Sequence, residues 1–222
     1  MSSNVQFISV LGRPGSGKGT QCALLKERFQ CGHISVGDLL RNEADNPESP
    51  YAEVLQDNLK NGKIGTKEMT VGIVKKKVDE FIKEDVRIIF LDGTNPFFPP
   101  PPSPVPTYCE ADFGDTGFPR KLDTAKYFEK EVGPIHAFVM LLCDVPNIEK
   151  RLLKRGRADD DVETIRKRIV VYEDTTYEVV QYFTKEDRYI LNTCAFTDDA
   201  EAIHRYIVEE LKGFCGVQLV KR

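Results

Sequence analysis

Most of the recognisable chemistry in this chain lies in Gly12-Arg13-Pro14-Gly15-Ser16-Gly17-Lys18-Gly19-Thr20. Closely spaced glycines let a backbone turn tightly with its N–H groups pointing inward, which suits a phosphate. Lys18 adds a full positive charge. A helix starting here adds partial positive charge from its N-terminus. The general phosphate-loop pattern has Ser or Thr directly after the lysine; here Gly19 stands there and Thr20 follows.

Such a loop works only between a strand and a helix, and both are predicted. Val5–Leu11 reads as a buried strand and Gly17–Phe29 as a helix with Ala23, Leu24, Leu25 and Phe29 apolar. His33–Val36 reads as a second strand, with Asp38 as N-cap of a helix through Arg41 and Glu43. Helices are expected over Tyr51–Lys60 and Lys67–Lys83, the latter with Lys75-Lys76-Lys77 on its solvated side. Val86–Asp92 and Ala137–Asp144 read as strands, each ending on an aspartate. Asn147–Arg155 reads as a basic helix, Asp161–Phe183 as a long helix, Arg188–Asn192 as a last strand and Ala200–Leu211 as a terminal helix. Strands alternating with helices imply an α/β fold with a central parallel five-stranded sheet flanked by helices. Ligands bind beyond the carboxyl ends of such strands, so the Gly12–Gly17 loop and Asp92 should be neighbours.

The 222 residues carry a net charge of −4 and 41% hydrophobic residues, the balance of one soluble globular domain. This excludes bulk attraction to nucleic acid or anionic membrane. Apolar runs are too short to span a bilayer, and the start lacks a signal-peptide pattern, so a cytoplasmic protein is expected. The six cysteines (22, 31, 109, 143, 194, 215) are scattered and read as reduced thiols, neither disulfides nor a zinc site. His33, His136 and His204 show no metal or nucleophile spacing; His33 reads as structural.

One segment breaks the alternation. Residues 94–116 hold seven of the thirteen prolines, which exclude a helix or an interior strand. An extended surface excursion is expected, with docking of an SH3- or WW-type partner as a rival role.

Five stretches occur in order: G-R-P-G-S-G-K-G-T-Q-C; H-I-S-V-G-D-L-L-R (His33–Arg41); F-L-D-G (Phe90–Gly93); G-F-P-R (Gly117–Arg120); and K-R-G-R-A-D-D (Lys154–Asp160) leading into E-T-I-R-K-R (Glu163–Arg168). Together they resemble the nucleoside monophosphate kinases, in the branch of short-lid adenylate kinases and UMP/CMP kinases. The resemblance spans nearly the whole chain outside the proline segment. It implies a P-loop kinase fold with a helical monophosphate-binding subdomain (about 35–65) and a very short lid (about 155–161). The implied reaction is ATP + NMP ⇌ ADP + NDP, with Mg²⁺ as cofactor and a monomer that closes around its substrates. Such chemistry needs in-line placement and neutralised phosphate charge, which guanidinium groups supply.

The resemblance also distributes roles. Gly15, Ser16, Gly17, Lys18, Gly19 and Thr20 would cradle ATP, with Arg151 stacking on its adenine and Ala195 beside it. Asp92, through water, and Thr20 would hold Mg²⁺. Lys18, Arg155, Arg157 and Arg168 would follow the transferring phosphoryl, and Asp159 and Asp160 would hold the lid arginines. The monophosphate would meet Val36, Arg41, Lys63, Ile64, Gly65, Gly117, Phe118, Pro119, Arg120 and Thr124, together with Arg157 and Arg168.

Three departures stand out. Residues 94–117 interrupt what relatives carry as continuous F-L-D-G-F-P-R, which is expected to bulge outward and leave the site intact. The lid is shortened, since Gly156 joins Arg157 directly, which predicts a slow ATP hydrolysis without acceptor. Four residues after Arg120, relatives place glutamine for AMP or asparagine for UMP/CMP, and here Thr124 stands there. The loop and lid wording lean towards an adenylate kinase acting on AMP, with a UMP/CMP kinase, or a weakly catalytic nucleotide-binding module, as alternatives.

Overall fold

The computed structural model describes residues 5–61, 65–93, 118–155, 162, 169, 176, 178–195, 199–213 and 216–222; the side chains of 59–61 and 155 lie outside that description. Strands β1 (Gln6–Gly12), β2 (Gly32–Ser35), β3 (Ile88–Asp92), β4 (Ile135–Leu142) and β5 (Tyr189–Cys194) form one sheet in the order β2-β3-β1-β4-β5. All these pairings are parallel, as the alternation of elements predicted. Helices α1 (Lys18–Arg28), α2 (Val36–Asp45), α3 (Ala52–Asn61), α4 (Lys67–Lys83), α5 (Leu122–Glu131), α6 (Val145–Arg155) and α7 (Ala200–Gly213) connect or flank the strands. No helix among the described residues is long and apolar enough to cross a membrane.

A parallel sheet covered on both faces needs strands that are apolar throughout. β3 is buried at every residue. Ile88 and Phe90 face one core with Ile8, Val10, Val139 and Leu141, covered by α1, α6 and α7. Ile89 and Leu91 face the other with Phe7, Leu11, Phe138 and Met140, covered by α4, α5 and the helical residues 178–185. There Phe7 and Phe128 meet edge to face, with ring centroids 5.3 Å apart, the geometry that aromatic quadrupoles favour. A third, smaller cluster of Ala44, Leu55, Met69 and Ile73 ties α2, α3 and α4 into a helical subdomain beside the sheet.

Several expected boundaries move. α2 starts at Val36 with Ser35 as N-cap, so Asp38 is a first-turn residue rather than the cap. Val36 is apolar and buried, and suits the end of a strand or the start of a helix equally. β3 begins at Ile88 rather than Val86, because the chain first turns at Asp85 with φ 59°. β4 begins earlier and ends at Leu142, which leaves Asp144 outside the strand. Its carboxylate instead accepts a 3.0 Å hydrogen bond from the Asn147 N–H, capping the first turn of α6. β5 shifts to Tyr189–Cys194 and α7 extends to Gly213. Of the long helix expected over Asp161–Phe183, residues 162, 169, 176 and 178–183 are described and helical. The proline-rich 94–116 segment and most of the lid lie outside the described residues.

Candidate active site

β1 ends on the glycine loop, and the loop's geometry explains its sequence. Gly12 has φ 150°, and a Cβ there would stand 2.6 Å from Ser16 Oγ and 2.7 Å from the Leu141 carbonyl oxygen. Gly17, at φ 98°, is the N-cap of α1, a left-handed conformation that L side chains rarely adopt. α1 has no side-chain cap hydrogen bond and no acidic residue in its first turn. Its first N–H groups are therefore presented without competition from a carboxylate, an arrangement that favours an anion.

Lys18 opens α1 and is 3% exposed. Its Nζ donates to the carbonyl oxygens of Gly12 at 2.9 Å and Arg13 at 3.1 Å, which holds the ammonium over the loop. Thr20 is exposed two residues further along the same turn, and Gly19 has open space around it. Ser16 is buried, and its Oγ has no hydrogen-bond partner among the described residues.

Asp92 is the neighbour that the strand-end argument expected. It ends β3 in register with Val10, two residues before Gly12. It is fully buried, and neither carboxylate oxygen has a hydrogen-bond partner among the described residues. Buried polar groups are almost always paired. A buried carboxylate that accepts no hydrogen bond beside a phosphate loop suits the water shell of a magnesium ion, which dehydrates reluctantly.

The other expected residues approach this same edge of the sheet. Arg41 lies on α2, which starts directly after Ser35, the register partner of Asp92. Its side chain is 15% exposed and pairs with Asp38 one turn earlier. Phe118, Pro119 and Arg120 lie over β1, since Ser9 Oγ donates to the Phe118 carbonyl oxygen. Phe118 and Val36 are buried in one cluster, and Arg120 is partly buried. Thr124 donates both its N–H, at 2.6 Å, and its hydroxyl, at 3.3 Å, to the Asp123 carboxylate. Gly65 abuts the Met69 side chain.

On the opposite flank, α6 packs directly on the loop: a Cβ at Gly15 would lie 2.9 Å from Leu152 Cγ. Arg151 Nη1 lies 3.4 Å from Cys143 Sγ, and Arg13 Nη1 donates to the Cys143 carbonyl oxygen at 3.2 Å. Burial pushes the Cys143 thiol up, and the Arg151 cation partly offsets it. Buried Ala195 follows β5, with its N–H donating to Leu142 at 2.7 Å. Arg155 closes α6, its side chain outside the description. Lys63, Ile64, Gly117, Arg157, Asp159, Asp160 and Arg168 also lie outside the described residues.

Two features escaped the sequence reading. Arg13 sits inside the loop and ties it to the end of β4; a basic residue within a glycine-rich loop was the available signal. His33, read as structural and without metal spacing, stands 3.7 Å from Asp92 and close to Cys22.

Comparison with known proteins fits this geometry. The adenylate kinase family model matches residues 10–96, which span the loop, α2 and Asp92. A uridylate kinase of Schizosaccharomyces pombe is 33% identical over 212 residues, covering 93% of this chain and 97% of that protein. A UMP-CMP kinase of Lentinula edodes is 36% identical, covering 82% and 76%. A UMP-CMP kinase of Bos taurus is 31% identical, covering 80% and 83%. The phosphate loop, the buried strand-end carboxylate and relatives aligned over nearly the whole length agree: this chain belongs to the nucleoside monophosphate kinase family.

Proposed function

We propose that the chain catalyses reversible transfer of the terminal phosphoryl of ATP to a pyrimidine nucleoside monophosphate, UMP or CMP. The observation that carries phosphoryl transfer is the buried Asp92 carboxylate, which makes no hydrogen bond among the described residues and lies one strand from the Lys18 loop. The pyrimidine acceptor is supported by relatives named uridylate kinase and UMP-CMP kinase. The expectation of AMP, drawn from loop and lid wording, gives way to this alternative, since the relatives at 31–36% identity carry the names uridylate kinase and UMP-CMP kinase.

Phosphoryl transfer requires little covalent work from a protein; it requires alignment and charge neutralisation. The N–H groups of Gly15–Thr20 take the ATP phosphates. Lys18 leaves the Gly12 and Arg13 carbonyls to follow the transferring group. Asp92, through water, and the Thr20 hydroxyl would hold Mg²⁺, which when bound neutralises phosphate charge. Arg41 and Arg120 clamp the acceptor phosphate from two different elements, while Arg151 flanks the ATP side. By the family resemblance, Arg155, Arg157 and Arg168 would complete the positive field, held by Asp159 and Asp160, around a reaction that needs water excluded.

A coupled assay with MgATP and each of UMP, CMP and AMP tests this. UMP or CMP should give the highest kcat/KM. Transfer to AMP alone would return the adenylate reading, and transfer to none would sink the proposal.

A further inference from the structure

Cys22, His33 and Asp92 come from three elements and meet on one face of the sheet. His33 in β2 pairs in register with Phe90. Phe90 and Asp92 are two residues apart on β3 and so point to the same side. α1 covers that side, with Cys22 in its apolar cluster. One ligand atom from each residue, a thiol sulfur, an imidazole nitrogen and a carboxylate oxygen, lies within 4.8 Å of the other two. His33 Nε2 and Asp92 Oδ2 are 3.7 Å apart. Ligands held tetrahedrally at zinc bond lengths stand roughly 3.3–3.8 Å from one another. The nitrogen–oxygen pair already has that spacing, and the thiol needs a shift on the order of 1 Å or less.

Two of the three groups make no hydrogen bond among the described residues. His33 Nε2 and both Asp92 oxygens are buried with no hydrogen-bond partner among the described residues, and Asp92 is fully buried. Magnesium chemistry accounts for the carboxylate alone, because hard cations take oxygen ligands. Thiolate and imidazole select softer metals.

We propose that Cys22, His33 and Asp92 form a binding site for a divalent cation of the zinc class, and that its occupation withdraws Asp92 from phosphoryl transfer. The metal replaces the thiol proton, which passes to solvent while the sulfur lone pair bonds the metal; no oxidant or reductant takes part. Water fills the fourth position. Burial pushes the Cys22 thiol up, and the nearby Asp92 carboxylate adds to it. The free thiol therefore stays protonated at neutral pH, and metal affinity rises with pH.

Cobalt(II) titration of the nucleotide-free protein tests the binding step. A thiolate-to-cobalt charge-transfer band should appear in the near ultraviolet, with release of about one proton per metal. The band should vanish in Cys22→Ser and persist in Cys31→Ser and Cys194→Ser. In His33→Asn the affinity should fall more than about tenfold. Should Cys22→Ser fail to fold, His33→Asn decides, since that side chain is 18% exposed and tolerates change better. No band at saturating cobalt, or full-affinity binding in His33→Asn, overturns the site. The inhibitory role is read as zinc sensitivity of turnover in excess Mg²⁺. The zinc concentration that halves the rate should rise more than about tenfold in His33→Asn; an unchanged value overturns that role. The cobalt result does not depend on the kinase reading, so the two can fail separately.

Discussion

Ser9 Oγ donates a 2.5 Å hydrogen bond to the carbonyl oxygen of Phe118, 109 residues further along the chain. Ser9 is the register partner of Leu91, which immediately precedes Asp92. The chain that leaves the sheet after Gly93 is thus back beside the same strand by Phe118. This relationship keeps Arg120 and Asp92 at one edge despite the insertion between them. Removing the hydroxyl leaves a buried carbonyl without its donor, at a cost of about 1–3 kcal/mol. Ser9→Ala should lower the urea midpoint accordingly and raise the KM for the monophosphate more than that for ATP. Equal changes in both would detach Phe118 from acceptor binding.

Excising residues 94–117 joins Gly93 to Phe118 and restores F-L-D-G-F-P-R. Both ends lie beside β1, so the shorter loop should close at a lower entropic cost, with a gain of at most about 2 kcal/mol. The expected outcome is a folded protein that still transfers phosphoryl groups, checked by thermal melts and the coupled assay. A folded but inactive product would give the segment a role in the site.

What the sequence made legible follows from how local each signal was. α4 was readable to both ends, because Thr66 caps it through its side chain and its apolar stripe is uninterrupted over Lys67–Lys83. β1, the loop and Asp92 were readable because the loop demands a strand before it and a helix after it. The α2 start was not, since Val36 is buried and suits either neighbour. Asp144 was misplaced for a related reason: an aspartate after an apolar run reads as a strand end or as a helix cap. The meeting of His33 with Cys22 and Asp92 could not be read at all. It depends on β2 pairing with β3 in one particular register, and no spacing along the chain encodes that.

Thr124 occupies the position where resemblance places a base-reading amide, and its hydroxyl is turned to Asp123. An amide there would reach further than a hydroxyl. Thr124→Asn should raise kcat/KM for UMP or CMP by up to about tenfold, the worth of one added hydrogen bond. Thr124→Gln should favour AMP instead. Steady-state kinetics with the three acceptors checks this; identical ratios in both variants would remove residue 124 from base selection.

His204 is buried on α7, its ring centroid 6.2 Å from that of Phe29, and its Nδ1 has no hydrogen-bond partner among the described residues. Burial pushes its pKa below the usual 6.5, the Arg28 cation adds to this, and Glu201 opposes it. The unfolded chain takes up this proton near pH 6.5, and the folded chain only at lower pH. Across that interval the unfolded state binds more protons, so stability falls as pH drops. Urea midpoints should therefore be lower at about pH 5.5 than at about pH 7.5, with a shallower dependence in His204→Leu. An identical slope in the variant would assign the sensitivity to other groups.

Asp92→Asn separates the cost of the site from its use. Asparagine keeps the shape of the side chain and removes a buried charge that, among the described residues, accepts no hydrogen bond and has only His33, at 3.7 Å, within ion-pair reach. Leaving a charge uncompensated in the interior opposes folding, and active sites commonly hold such groups at the expense of stability. The variant should melt at the same temperature as the parent or higher. Its kcat should fall by about 10²–10³-fold, the scale of losing one preorganised electrostatic group, with little change in the KM for the monophosphate. Calorimetry and the coupled assay read the two halves independently. A variant that melts lower while turning over normally would make Asp92 a structural residue, and phosphoryl transfer would then have to be organised around Lys18 and the arginines alone.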